Sequence, residues 1–177
     1  IPKNKKIVRK KKNILFVCSI FYQYEKLIPI IEKLISETNY TITLYSDFKI
    51  SKKRIDNINV EYVDRSFCYS PKYFKHLLLT YKNIRGIWNN NIKCRIDDVE
   101  DHELACPKEM ISIALNSWFK ANVKQLIRII LFAQTIINKL NPVLVLSIDS
   151  CDKNIRAFEM YAKQKGIPSL CIIFGHI

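Results

Sequence analysis

Six side chains that could bind a polar ligand follow shortly after apolar runs of the sequence. They are Ser19, Tyr22, Gln23, Asp149, Ser150 and His176. A histidine titrates near neutrality, so it can bond a polar ligand or take a proton. The ring of Tyr22 could stack on a sugar that the amide of Gln23 hydrogen-bonds. These residue types predict a binding site for a polar small molecule, and they assign no catalytic residue.

Each of these residues also has a purely structural alternative. An Asp just before a helix often accepts hydrogen bonds from the first free N–H groups, which favours a capping role for Asp152. Asp149 lies nearer the end of its apolar run, and both roles stay open for it. His176 is equally well explained as plain surface, while Tyr22 and Gln23 would serve as loop residues that cover the end of a sheet.

Several familiar sites are excluded by residue type. Only three glycines occur, so neither a GxGxxG nucleotide loop nor a GxxxxGK[ST] phosphate loop exists. The six cysteines have no CxxC spacing, and the acidic segment 97–103 lacks the pattern of a calcium loop. Cys18 cannot be a phosphatase nucleophile, because Tyr24 stands where an Arg would hold the phosphate. We therefore expect no metal and no cofactor, and we expect Cys18 to lie in the core.

Composition indicates an ordinary globular chain with a strongly basic end. The 177 residues are 49% hydrophobic and 25% charged, and the net charge is +13. Seven basic residues precede position 13, so residues 1–12 are predicted to be a basic tail or linker. Basic residues could contact an anionic membrane surface, whereas nucleic acid is not favoured as a partner. Scattered, unpaired cysteines predict a reduced, cytoplasmic protein, with membrane association through the basic residues.

Strands and helices alternate along the rest of the chain. Short apolar or alternating runs predict strands at 13–18, 40–45, 59–63, 143–148 and 169–174. Helical spacing predicts a helix from about Glu25 or Lys26 to Glu37, since Pro29 fits best in a first turn. Further helices are predicted at 108–140 and after the loop 149–152, the second ended by Gly166. Between 70 and 107 the pattern weakens, which predicts an insertion at about 70–110.

This order of elements predicts an α/β fold: a Rossmann-like three-layer sandwich with a mostly parallel sheet, over residues 13–177. The carboxyl ends of parallel strands meet at one edge of the sheet, where ligands bind. The six candidate residues are therefore expected to gather along that edge.

Two segments resemble a known family. Asn141-Pro-Val-Leu-Val-Leu-Ser-Ile-Asp-Ser150 and Arg156 to Leu170, which contains Gly166-Ile-Pro168, are similar to the N-terminal half of GT-B glycosyltransferases of bacterial surface-polysaccharide synthesis. The resemblance implies an acceptor-side domain, inactive alone, in an enzyme that moves a sugar from a nucleotide donor to a glycan or lipid-linked acceptor. A missing C-terminal domain would grip the sugar nucleotide, which makes this chain the N-terminal half of a longer protein. The chain departs from the family at Phe174-Gly175-His176, where Gln-His-Gly is usual.

Three alternatives remain open at this point. A sugar-nucleotide 2-epimerase has a similar architecture, but its catalytic carboxylates cannot be placed here. A flavodoxin-like binding or regulatory module would perform no chemistry, and a basic nucleic-acid binder is the third alternative.

Overall fold

A computed structural model describes residues 12–58, 60–97, 107–148 and 151–173. The chain divides into two compact units, the first formed by Ile1–Phe67 with Gln134–Ile177 and the second by Cys68–Ala133. The strands are β1 Asn13–Cys18, β2 Thr41–Ser46, β3 Glu61–Val63, β4 Leu144–Ile148 and β5 Ser169–Ile172. The helices are α1 Phe21–Glu37, α2 Lys52–Ile58, α3 Pro71–Asp97, α4 Lys108–Leu140 and α5 Lys153–Gln164.

The first unit contains a five-stranded sheet in the order β3-β2-β1-β4-β5, and every neighbouring pair is parallel. The central strand β1 pairs with β2 on one side, Asn13 facing Thr41, and with β4 on the other, Ile14 facing Leu144. The prediction of a Rossmann-like α/β fold is confirmed, and the sheet is wholly rather than mostly parallel.

Strand β1 is apolar from Ile14 to Cys18 because both faces of the sheet are covered. Phe16 and Cys18 belong to a core cluster that also contains α1 and α2 residues such as Leu27 and Ile55. Side chains alternate along a strand, so Val17 and its neighbours lie on the opposite face. On that face of β2, Tyr45 packs against Phe158 of α5 with ring centroids 4.9 Å apart.

Helix α1 begins at Phe21, four or five residues before the predicted start. Pro29 therefore lies inside the helix and not in its first turn, so the argument from proline was wrong. The early start is stabilised by Gln23, whose side chain accepts hydrogen bonds from the residues just before the helix.

Three special residues bound the β4–α5–β5 segment. Asn141 has φ 45° and ends α4, while Gly166 has φ 70° and ends α5, as predicted for a glycine after the last turn. After that turn the Ile167 N–H donates to the Ala162 carbonyl at 2.9 Å. Pro168 then leads into β5, and its carbonyl accepts from the Val145 N–H at 3.0 Å.

The second unit is built on α3 and the part of α4 up to Ala133. A helix of 27 residues, α3, occupies the stretch where the sequence pattern weakens. Aromatic contacts join the two helices: Tyr73 stacks on Phe132 with centroids 5.2 Å apart, and Trp88 contacts Phe119 at 4.7 Å. As residue numbers rise along α3 they fall along α4, so the two helices run antiparallel.

Candidate functional site

The carboxyl edge of the sheet is the place where the fold gathers polar residues. In the observed strand order, β2 lies on one side of the central strand β1 and β4 lies on its other side. Because the strand order reverses at this point, a crevice is expected between the carboxyl ends of β1 and β4. Ser19 and Ile20 follow β1 there, and Cys151 and Asp152 lie in the loop after β4.

Gln23 closes the loop between β1 and α1. Its Oε1 atom accepts hydrogen bonds from the Ser19 N–H at 2.8 Å, the Ser19 hydroxyl at 3.0 Å and the Ile20 N–H at 3.3 Å. Gln23 is 2% exposed, so its side-chain amide is buried and its oxygen bonds the loop rather than solvent. Gln23 thus makes one of the two hydrogen bonds of a capping box. Ile20 cannot make the other, because its side chain has no oxygen.

This geometry also limits what Ser19 can do. Its hydroxyl donates to an amide oxygen, which does not take a proton as a general base would. Ser19 is thus held as a structural donor in the loop. A role in binding a ligand stays a prediction.

Tyr22 takes no part in these hydrogen bonds and is 53% exposed. Lys26 lies over its ring at 5.4 Å from the centroid. Beside it, Phe21 contacts Phe48 at 6.0 Å and lies under the Arg54 guanidinium at 4.7 Å. The exposed Tyr22 thus belongs to an aromatic surface at the end of the sheet, and its stacking on a ligand stays a prediction.

The other three predicted ligand-binding residues, Asp149, Ser150 and His176, lie outside the described residues, as do the basic residues 1–11 and most of the acidic segment. Asp152 is described, and it caps α5: its Oδ1 accepts from the N–H groups of Asn154 at 2.7 Å and Ile155 at 3.3 Å. The structural alternative is therefore confirmed for Asp152.

A polar cluster that sequence reasoning missed lies at the same edge, beyond β2 and β3. The Arg65 guanidinium donates to both carboxylate oxygens of Asp47, each at 2.7 Å, and the Tyr45 hydroxyl donates to Oδ1 at 2.8 Å. The hydrogen bond to Asp47 raises the pKa of Arg65, so the guanidinium stays charged. In the sequence, this ion pair is indicated by an acidic residue shortly after β2 and an arginine shortly after β3.

Cys18 is buried, as predicted. Burial, and then the charge of Asp47, raise the pKa of its thiol well above the ordinary range. A thiol in this state is a poor nucleophile, which agrees with the exclusion of a phosphatase site.

Two further chemical features concern the described residues only. Among them, no three His, Cys, Asp or Glu side chains are grouped so that they could hold a metal ion. Across the same part of the chain, no helix combines the length and hydropathy needed to cross a bilayer.

The second unit carries a different kind of surface. Its side chains described at 71–91 and 107–133 include eight Lys or Arg and one acid, Glu109. Lys120, Lys124 and Arg128 are spaced by four residues, so they form an exposed row along α4. Near them, apolar side chains of α3 are exposed to solvent.

Comparison with known proteins gives one kind of match. No family model matches the chain, and no curated protein matches it. Among solved structures, one described as the structure of a CDPS (cyclodipeptide synthase) from Fluoribacter dumoffii matches with a TM-score of 0.49 and 15% sequence identity. The match covers 92% of this chain and 89% of that chain.

The expectation of a GT-B glycosyltransferase of polysaccharide synthesis is wrong: this solved structure is that of a CDPS and not of a glycosyltransferase. The structure explains why the resemblance misled. Asn141 ends α4, Gly166 ends α5, and Pro168 leads into β5. The quoted residues therefore build a β–α–β unit, and any Rossmann-like chain needs the same turns.

Proposed function

We propose that this protein binds the surface of an anionic membrane, from the cytoplasmic side, through helices α3 and α4. The observation that carries the proposal is one face of α3 on which exposed apolar and basic side chains alternate. We call it the mixed face, and it consists of Phe74, Lys75, Leu78, Leu79, Lys82 and Arg85.

The mixed face is continuous around the helix. At 3.6 residues per turn its six positions fall within a sector of about 140°. Phe74, Leu78 and Leu79 are 51%, 59% and 50% exposed, although large apolar side chains are usually buried. The opposite side of α3 carries Tyr73 and Leu77, which are buried. Leu79 therefore lies outside the side of α3 that packs on α4, and Phe74 and Leu78 lie at the border of that side.

Charge adds to this apolar contact. Each Lys or Arg near an anionic bilayer contributes about 1 kcal/mol, and apolar side chains enter the boundary between head groups and acyl chains. The row Lys120, Lys124 and Arg128 on α4 supplies more positive charge within the same unit. Anionic lipids are concentrated in the cytoplasmic leaflet, which supports the proposed side of the membrane.

The exposed aliphatic residues favour a membrane over nucleic acid. Phosphate contacts to DNA or RNA need Lys and Arg, and an aliphatic side chain contributes nothing to them. Leu78 and Leu79 would then stay in water without any role. A lipid interface takes up both kinds of residue on the mixed face.

Vesicle sedimentation tests the proposal with the full chain. Vesicles of phosphatidylcholine and phosphatidylglycerol are compared with pure phosphatidylcholine vesicles, and binding is expected only to the anionic ones. The double variant Lys82→Ala, Arg85→Ala should bind about thirtyfold more weakly, as two lost contacts of about 1 kcal/mol each predict. Leu79→Ser should weaken binding at high salt, where the apolar contact is all that remains.

The matched control removes one Lys and one Arg from the first unit. The double variant Arg156→Ala, Lys163→Ala changes the net charge equally and should bind like the wild type. If both double variants lose affinity equally, net charge alone attracts the protein and the mixed face is not the site. Binding of RNA without binding of anionic vesicles would overturn the proposal.

A further inference from the structure

A cavity of about 400 Å³ lies between α3 and α4 in the second unit. It has the size of a small-molecule site and an apolar wall with two cations at its border. Its lining includes Tyr69, Phe74, Leu77, Leu78, Lys124 and Arg128. Tyr69 and Phe74 stack with centroids 5.7 Å apart, which gives the wall a flat aromatic side.

The two cations are placed to act on one group. Lys124 and Arg128 are four residues apart on α4, so their Cβ atoms are about 5–6 Å apart. The Arg128 guanidinium lies 5.9 Å from the centroid of Phe132, whose ring stacks on Tyr73. The stacked rings of Phe132 and Tyr73 thus lie beside Arg128, with the Phe132 ring in contact with its guanidinium.

We infer that this cavity binds one acyl lipid with a phosphate monoester head. The phosphate would lie on Lys124 and Arg128, and the first part of the chain among Phe74, Leu77 and Leu78. A phosphate monoester carries nearly two negative charges near pH 7, which matches two cations better than the single charge of a carboxylate. Arg128 can hold two phosphate oxygens at once.

This inference deepens the proposed function, on which it rests, because it names a lipid that the membrane-bound protein would select. Phe74 and Leu78 belong both to the mixed face and to the cavity wall. A lipid in the cavity would therefore lie at the border of the membrane contact.

Calorimetry with soluble probes tests the cavity without a membrane. Dodecyl phosphate below its micelle concentration should bind the full chain with one site. Dodecanoate should bind at least about tenfold more weakly, because it makes fewer charged hydrogen bonds. Dodecanol and inorganic phosphate should not bind at the same concentration, because dodecanol lacks the phosphate and inorganic phosphate lacks the alkyl chain.

Two substitutions and a matched control locate the site. Arg128→Ala and Lys124→Ala should each weaken dodecyl phosphate at least about tenfold. Arg156→Ala removes an exposed cation of α5 in the first unit, which does not line the cavity, and should bind like the wild type. Circular dichroism of each variant establishes that the helices are intact.

The outcomes separate this inference from the proposed function. Dodecanol binding as tightly as dodecyl phosphate, or wild-type affinity in both Arg128→Ala and Lys124→Ala, would overturn the inference even if anionic vesicles bind. One-site binding of dodecyl phosphate that needs Arg128 supports the cavity. If vesicles then fail to bind, only the membrane proposal falls.

Discussion

Arg65 and Asp47 form a two-pronged ion pair at the carboxyl edge of the sheet, with both N···O distances at 2.7 Å. The Asp47 side chain is 7% exposed, whereas Arg65 is 41% exposed. Asp47 follows β2 and Arg65 follows β3, so the pair ties the ends of two strands together. A nearly buried carboxylate needs its partners, because losing them leaves an uncompensated charge.

Replacing Arg65 is therefore expected to destabilise the first unit. We expect Arg65→Ala to lower the free energy of unfolding by about 1–3 kcal/mol, because Asp47 then keeps only the Tyr45 hydroxyl of this cluster. Arg65→Lys should cost less, since it keeps the charge and loses one of the two parallel bonds. Urea unfolding at neutral pH measures both. Arg156→Ala removes an exposed arginine and serves as the control; an equal loss there would contradict the assignment.

Gln23 provides a second test in the same unit. In Gln23→Leu, the Ser19 and Ile20 N–H groups lose the oxygen that they share, and we expect a loss of about 1–3 kcal/mol. Gln23→Glu keeps an acceptor and places a negative charge at the start of α1, so stability at neutral pH should be retained. Thermal unfolding followed by circular dichroism distinguishes them.

The exposed Gln164 gives the matched control for that experiment. Gln164→Leu makes the same chemical change at the end of α5 and should leave the melting temperature nearly unchanged. If Gln23→Leu is as stable as the wild type, the loop after β1 does not depend on this amide.

The cap of α5 gives a third prediction. Asp152→Ala should destabilise the protein by about 1 kcal/mol, since two N–H groups at the start of α5 lose their acceptor. Asp152→Asn retains a capping oxygen and should be close to the wild type. Chemical denaturation of the three proteins is the measurement, and equal midpoints for all three would show that the cap contributes nothing.

The strands could be read from the sequence because burial on both faces leaves a simple signal. The apolar run at 13–18 is β1 without any shift, and the stop at Asn141-Pro142 gives the end of α4 within a residue. Helix α3 could not be read in this way. Phe74, Leu78 and Leu79 lie on its exposed side, so apolar residues occur all around the helix and the 3.6-residue pattern fades.

The candidate site was predictable only in part, for a related reason. A sequence shows that Gln23 follows a strand, but not that its oxygen turns back to Ser19. The same limit applies to Arg65 and Asp47, whose contact depends on β2 and β3 being neighbours. Residues at strand ends can be named from the sequence, whereas their partners depend on the strand order.

The buried thiol of Cys18 gives the last prediction, a pH dependence. Its pKa is raised in the folded state above the ordinary value of 9.0, mainly by burial. The unfolded chain therefore loses the proton first as pH rises, and unfolding becomes easier above about pH 9. Below that pH both states hold the proton and the contribution to stability is fully present. We expect the wild type to lose up to about 1.4 kcal/mol per pH unit above pH 9 from this thiol alone.

Cys18→Ala isolates this contribution, because alanine does not titrate while other groups do so equally in both proteins. The difference in unfolding free energy between wild type and variant should be constant from about pH 7 to about pH 8.5, and then shrink as pH rises. In the native wild type, iodoacetamide should also leave Cys18 unmodified until urea is added, since reaction needs an accessible thiolate. A constant difference up to about pH 10.5, or rapid labelling of Cys18 in the folded protein, would contradict a buried, protonated thiol.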